Sequence, residues 1–361
     1  MYTILCVVGA RPNFIKMAAL LDEIQRRPHI RALLIHTGQH YSRDMSESLF
    51  CDLELPQPDV NLGVAPGSQT TQTAEIMKGL EPIFESRRPD VILVVGDVNS
   101  TLAAALVAAK TGIRLAHVEA GLRSFDRRMP EEINRVVTDA LADYLFVSEP
   151  SGVKNLLAEG ASAEKVFFVG NVMIDTLLRF RRKADASMVR ERLNVAKGGY
   201  AVVTLHRPSN VDDPVRLKDL LQMLSTLAGR LPVIFPVHPR TKQRILANGL
   251  AHDKLVILEP LGYLEFLKLM ADARLVLTDS GGIQEETTIL DVPCLTLREN
   301  TERPVTLEQG TNRLAGIAPD YILQAALEIL EHPPGPARTP ELWDGRAAAR
   351  VLDVLEQSLA R

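Results

Sequence analysis

Arg274-Leu275-Val276-Leu277-Thr278-Asp279-Ser280-Gly281-Gly282-Ile283-Gln284-Glu285-Glu286 is the stretch that decides the fold. A short β-type run breaks at Ser-Gly-Gly and restarts with helical spacing. Two glycines let a ligand approach the backbone, and the amides at a helix start suit a phosphate. Glu285 and Glu286, just beyond, do not belong against phosphate but accept hydrogen bonds from ribose hydroxyls. An anion cradle beside a carboxylate points to a nucleotide.

Outward from this junction the same rhythm runs through the chain. Short β-rich runs alternate with longer amphipathic stretches, the pattern of parallel sheets covered by helices. The expected strands are Tyr2–Val8, Ala32–His36, Val91–Val95, Arg114–Val118, Tyr144–Val147 and Val166–Val169, then Ala201–Leu205, Val233–Val237, Leu255–Leu258, Leu275–Thr278 and Cys294–Leu297. Helices are expected at Asn13–Arg26 and Thr70–Ser86. With 361 residues, two domains are expected. The rhythm restarts after the polar stretch Arg181–Gly199, so the division is drawn as residues 1–175 and 176–345. A Pro-rich stretch (Pro333, Pro334, Pro336, Pro340) precedes an amphipathic segment, and its residues 346–361 are expected to return to the first domain as a helix. The fold class is therefore α/β, two doubly wound Rossmann-like domains with ligand sites at the carboxyl ends of their strands.

Composition narrows the function. The chain is 46% hydrophobic and 24% charged with net charge −4 and no basic stripe, which argues against nucleic acid as a partner. Cys6, Cys51 and Cys294 are far apart and lack metal-ligand spacing, so neither a disulfide framework nor a metal site is expected, and no cofactor. The apolar run Ile4–Val8 is too short for a signal peptide or membrane span. The expectation is a cytoplasmic protein without a membrane partner.

The charged residues fall at strand ends. Strand one runs into Gly9-Ala10-Arg11-Pro12-Asn13-Phe14-Ile15-Lys16, which brings two cations to a helix start. Asp97 follows the Val91–Val95 run and Glu119 the Arg114–Val118 run. Glu131 opens a helix behind Pro130, and Arg135, four residues on, shares its face and is expected to orient it. Three acids at neighbouring strand ends suit proton transfer, because crowded carboxyls hold protons more tightly. In the second half, His206-Arg207 and His238-Pro239-Arg240 close strands, with His206 read as a donor to a pyrophosphate or a leaving-group oxygen. Arg303, directly before Pro304, is expected at a turn or helix start rather than buried.

Taken in order, Gly9-Ala10-Arg11-Pro12, Thr37-Gly38-Gln39-His40, Gly96-Asp97, His117-Val118-Glu119-Ala120-Gly121-Leu122-Arg123, Pro130-Glu131-Glu132-Ile133-Asn134-Arg135, His206-Arg207, Asp279-Ser280-Gly281-Gly282-Ile283-Gln284-Glu285-Glu286 and Thr301-Glu302-Arg303-Pro304 resemble the non-hydrolysing UDP-N-acetylglucosamine 2-epimerases over essentially the whole chain. The resemblance implies a GT-B architecture, two Rossmann-like domains facing across a cleft, with UDP held mainly by the second. It implies a UDP-sugar substrate, a homodimer, and elimination of UDP to a 2-acetamidoglucal followed by re-addition with inversion at C2. Carried over by position, Asp97, Glu119 and Glu131 form the acid–base group, with Arg135 orienting Glu131. His206 and Arg11 stabilise the diphosphate, with Lys16 near the sugar or phosphate. Ser280, Gly281 and Gly282 bind phosphate, Glu286 the ribose, Phe266 the uracil region and Arg303 the substrate. Gln39 and His40, with His238, are candidate regulatory residues. A family glutamine beside the uracil stands here as Leu261. The local wording Gly38-Gln39-His40-Tyr41 and Ser124-Phe125-Asp126-Arg127-Arg128-Met129 also resembles the subgroup acting on UDP-2,3-diacetamido-2,3-dideoxyglucuronate, which stays open as the alternative substrate. A GT-B glycosyltransferase is the further alternative.

Overall fold

Val91–Val95 reads Val-Ile-Leu-Val-Val, and all five side chains are buried. A strand apolar on both faces belongs inside a parallel sheet with helices above and below. In a computed structural model that describes residues 1–38, 49–237, 239–250 and 254–360, every paired strand is parallel to its neighbour. The chain divides into two compact units, Met1–Arg179 with Glu341–Arg361, and Phe180–Pro340.

The first unit holds β1 (Tyr2–Val8), β2 (Ile30–His36), β3 (Val60–Asn61), β4 (Val91–Val95), β5 (Arg114–Ala120), β6 (Tyr144–Val147) and β7 (Val166–Phe168). Their order is β3-β2-β1-β4-β5-β6-β7, so the sheet winds one way from β1 and the other way from β4. The second unit holds β8 (Ala201–Thr204), β9 (Val233–Pro236), β10 (Val256–Leu258), β11 (Leu275–Thr278), β12 (Cys294–Thr296) and β13 (Asn312–Leu314). Its order, β10-β9-β8-β11-β12-β13, reverses between β8 and β11. Such reversal points open a crevice at the carboxyl ends of the two central strands. The turns after β1 and β4 carry Arg11 and Asp97. Those after β8 and β11 carry His206 and Ser280.

Each sheet has its own apolar core, built in the first unit around Leu5, Val7, Ile92 and Val94 and in the second around Val203, Phe235, Leu277 and Leu295. The helix Ala347–Leu359 turns Ala348, Val351, Leu352, Leu355 and Leu359 inward. It belongs to the first unit, where Arg27 Nη2 holds Asp353 at 2.7 Å and Arg27 Nη1 holds Glu356 at 2.7 Å. Asp175 accepts from the Ala348 amide at 2.7 Å at its start.

Most of the expected strands form within a residue or two of their predicted ends. Two short strands went unforeseen, Val60–Asn61 and Asn312–Leu314. The stretch Arg181–Gly199 is not a plain linker, since helix Val172–Ala184 runs into it and Val189–Arg192 forms a further turn.

Candidate active site

In the first unit the helix Arg11–Gln25 starts three residues after β1. Asn13 fastens its first turn to β4, accepting from the Ala10 amide at 3.1 Å and donating to the Val95 carbonyl at 2.7 Å. Arg11, partly exposed, is the first residue of this helix, and Lys16 lies just beyond its first turn. Lys16 is 4% exposed, and its ammonium is ion-paired with the Glu119 carboxylate. Glu119 sits where the pairing of β5 with β6 slips, at a backbone φ of +74°. A left-handed glutamate inside a strand is strained and re-aims its side chain.

Asp97 follows β4 at the turn. Its Oδ2 accepts from Arg135 Nη1 at 2.5 Å, and its backbone carbonyl accepts from Asn134 at 2.8 Å. Asp97 and Glu119 thus each face a nearly buried cation. Arg135 is 2% exposed, and its Nη2 also donates to Glu132 at 2.6 Å and to the Ser124 hydroxyl at 3.4 Å. Spacing sets Arg135 against Glu131; on the helix Pro130–Leu141 both i−4 and i−3 are within reach, and Glu132 is also bound by the guanidinium. Glu132 also accepts from the Ser124 and Phe125 amides at 2.9 Å. Burial opposes its charge, but those amides and Arg135 hold its acid below the usual carboxylate range. Glu131 is partly buried in the first turn of the same helix.

In the second unit, Asp279 follows β11 with no exposed surface. It accepts from the His206 and Arg207 amides and from Asn210 Nδ2, and its Oδ1 lies 2.7 Å from His206 Nδ1. Burial favours its protonated form, yet His206 and these donors hold it below the usual range. His206 itself is 52% exposed at its side chain, so the carboxylate fixes the ring from behind while the rest stays accessible.

Helix Gly281–Leu290 starts behind Ser280, whose side chain does not cap it. Arg303 packs directly on Gly281: a methyl group there would sit 2.4 Å from Arg303 Nη1. Arg303 is 4% exposed, which corrects the expectation of an unburied residue before Pro304. Two buried carboxylates compensate it, Glu285 at 2.9 Å and Glu302 at 2.6 Å. Glu302 also meets Arg298 at 2.8 Å and Arg207 at 3.7 Å. Three arginines thus gather on Glu285 and Glu302 next to the amides of Gly281 and Gly282, where a diphosphate would find cationic donors and free helix-start amides. Glu286, 4% exposed, accepts from the Tyr263 hydroxyl at 3.1 Å, and Phe266 lies one turn further along the helix Tyr263–Ala271.

The structure therefore gathers Arg11, Lys16, Asp97, Glu119 and Arg135 around the carboxyl ends of β1, β4 and β5, and His206, Ser280, Gly281, Gly282, Glu286 and Arg303 around those of β8 and β11. Gln39, His40 and His238 lie outside the described residues. Sequence reading missed Glu132, Asn13, Asp279, Glu302 and Tyr263 as supporting groups. Asp279 could have been found from its place between strand and glycines, since a buried acid there needs a cation.

Two doubly wound sheets with polar groups at both reversal points define a nucleotide-binding α/β protein of the GT-B class. Residues 22–356 match the sequence profile described as UDP-N-acetylglucosamine 2-epimerase, and the chain belongs to that family. It is 42% identical over 341 residues to the UDP-N-acetylglucosamine 2-epimerase of Methanococcus maripaludis, covering 92% of each chain. It is 40% identical over 326 residues to the UDP-2,3-diacetamido-2,3-dideoxy-D-glucuronate 2-epimerase of Pseudomonas aeruginosa, covering 90% of this chain and 91% of that one. The crystal structure of the Methanocaldococcus jannaschii UDP-GlcNAc 2-epimerase in complex with UDP-GlcNAc and UDP is similar at a TM-score of 0.92, with 41% identity, covering 98% of this chain and 99% of that one. Among the described residues no helix is long and apolar enough to cross a membrane.

Proposed function

We propose that this chain interconverts UDP-N-acetylglucosamine and UDP-N-acetylmannosamine by inverting C2. The observation that carries the reading is the pair Asp97 and Glu119, acids at the carboxyl ends of adjacent strands, each against a nearly buried cation. Supporting it is the family, several of whose relatives carry that activity in their names.

A proton at C2 of such a sugar is too weakly acidic to be removed without loss of the leaving group. A carboxylate takes the C2 proton as the C1–O bond breaks. The electron pair of the C2–H bond forms the C1–C2 double bond, and UDP departs with the C1 oxygen. UDP oxygen then returns to C1 while a proton is delivered to C2 from the opposite face. Asp97 and Glu131 move the protons, Glu119 completes the acid group, and Arg135 holds Asp97 in place. His206, Arg11 and the Arg303 cluster stabilise the departing diphosphate, where charge builds up. Ser280, Gly281 and Gly282 bind phosphate, Glu286 the ribose and Phe266 the uracil region, and Lys16 stays near the sugar. The route uses no metal or redox cofactor. We place the enzyme in the cytoplasm as a homodimer supplying a sugar for polysaccharide synthesis.

Incubation with UDP-N-acetylglucosamine tests the reading: the C2 epimer accumulates to an equilibrium mixture with UDP still attached. The second reading, the diacetamidoglucuronate nucleotide as substrate, is favoured by the Pseudomonas relative at 40% identity. Epimerisation of that sugar alone would select it. Transfer of the sugar to an acceptor would select a glycosyltransferase.

A further inference from the structure

A carboxylate outside the proposed acid group touches both flanks of one of its members. Asp139, on the helix Pro130–Leu141, is 6% exposed. Its Oδ1 lies 2.6 Å from Nδ1 of His117, and its Oδ2 accepts from the Gly121 amide at 3.0 Å. His117 stands two residues before Glu119 and Gly121 two residues after it. Between these two anchors β5 slips register against β6, and Glu119 takes its φ of +74°. Strained backbone of this kind persists only where its surroundings over-determine it. The far anchor is closely packed: Gly121 is at φ +81°, and a methyl group there would meet the Gly152 carbonyl oxygen at 2.4 Å.

The same histidine reaches the second acid. Its Nε2 lies 2.9 Å from the carbonyl oxygen of Gly96, the residue before Asp97, and the Gly96 amide donates to the Val118 carbonyl at 3.0 Å. Gly96 and Asp139 thus each hold one edge of the ring. His117 has no exposed surface, and Arg123 Nη2, 2.7 Å from Asp139 Oδ2, balances the carboxylate. Neither Asp139 nor His117 is needed for the chemistry of the proposed reaction, and a buried ionic network of this size is expensive to keep without a use.

We propose that Asp139, acting through His117 and the Gly121 amide, is a positioning residue that clasps Glu119 in its left-handed geometry and pins the Gly96-Asp97 turn. The inference rests on the epimerase reading for what those two acids do.

Asp139→Ala tests it. The substitution removes both carboxylate oxygens, so the His117 ring and the Gly121 amide each lose their partner. Turnover per UDP-binding site is expected to fall about a hundredfold while KM and the Kd for UDP stay within about threefold, as for acids displaced by a fraction of an ångström. A crystal structure of the variant is expected to have Glu119 outside the left-handed region. A purely structural role would lower the melting temperature and the number of UDP-binding sites but leave turnover per site unchanged. That result, or Glu119 unmoved in the variant crystal, overturns the proposal. If Asp139→Ala does not fold, two His117 variants decide. His117→Gln keeps an N–H for the Gly96 carbonyl and is expected to turn over about tenfold faster than His117→Leu, at equal UDP affinity; equal rates overturn the proposal. If the unmodified protein epimerises no UDP-sugar, the functional reading fails, and the Glu119 conformation in the Asp139→Ala crystal still decides the clasp.

Discussion

His206 Nδ1 lies 2.7 Å from Oδ1 of Asp279, a carboxylate with no exposed surface. The acid is held charged from behind by amides and by Asn210, so one ring nitrogen is committed and the other is the edge a ligand would meet. Asp279→Asn leaves the ring free to take the wrong tautomer. Turnover should fall about a hundredfold or more, and urea unfolding should register a loss of about 1–3 kcal/mol from the disturbed buried donors. Unchanged turnover in the variant would detach His206 from the reaction.

Gly281→Ala tests the anion cradle through packing alone. The added methyl would lie 2.4 Å from Arg303 Nη1 and 2.9 Å from a Glu302 oxygen, so the buried guanidinium must move. The Kd for UDP, measured by calorimetry, is expected to rise at least about tenfold, or about 1.4 kcal/mol. An unchanged Kd would place the diphosphate elsewhere.

Asp97→Asn and Glu131→Gln should each abolish turnover while leaving UDP binding within about tenfold, because both remove proton transfer and neither removes a phosphate donor. Near-normal turnover in either variant would strike that residue from the acid–base set.

What the sequence made legible follows from burial. Parallel strands covered on both faces read as unbroken apolar runs, so Val91–Val95 and Leu275–Thr278 could be drawn to the residue. The strands Val60–Asn61 and Asn312–Leu314 are too short and too polar to form such a run. The acids at strand ends were visible as a series, but their partners were not. Helical spacing offers Arg135 both Glu131 and Glu132, and only the folded chain brings in Asp97 from 38 residues away. Arg303 before Pro304 reads as a surface turn, because nothing local announces that Glu285, on a separate helix, will neutralise it in the interior.

Stability should depend on pH through Asp175. Burial pushes its acid up to about 6, although the Ala348 and Ala347 amides at the start of the terminal helix pull the other way. The unfolded chain titrates near 3.9, so between about pH 4 and 6 the folded protein binds the extra proton, and stability declines as pH rises across that window. Above about pH 6 the loss is complete, about 3 kcal/mol at most from a shift of roughly two pH units. Asp175→Asn lacks this titration. The stability of the unmodified protein relative to the variant should therefore drop between pH 4.5 and 7.5 in urea unfolding, and a pH-independent difference would refute the assignment.

Proton NMR of the protein with UDP-N-acetylglucosamine in D2O reads epimerisation and proton transfer together. UDP-N-acetylmannosamine carrying deuterium at C2 is expected, with the nucleotide still attached at equilibrium. An epimer that retains the original C2 hydrogen would contradict proton transfer by the strand-end acids, and a sugar transferred or released with no exchange at C2 would contradict epimerisation itself.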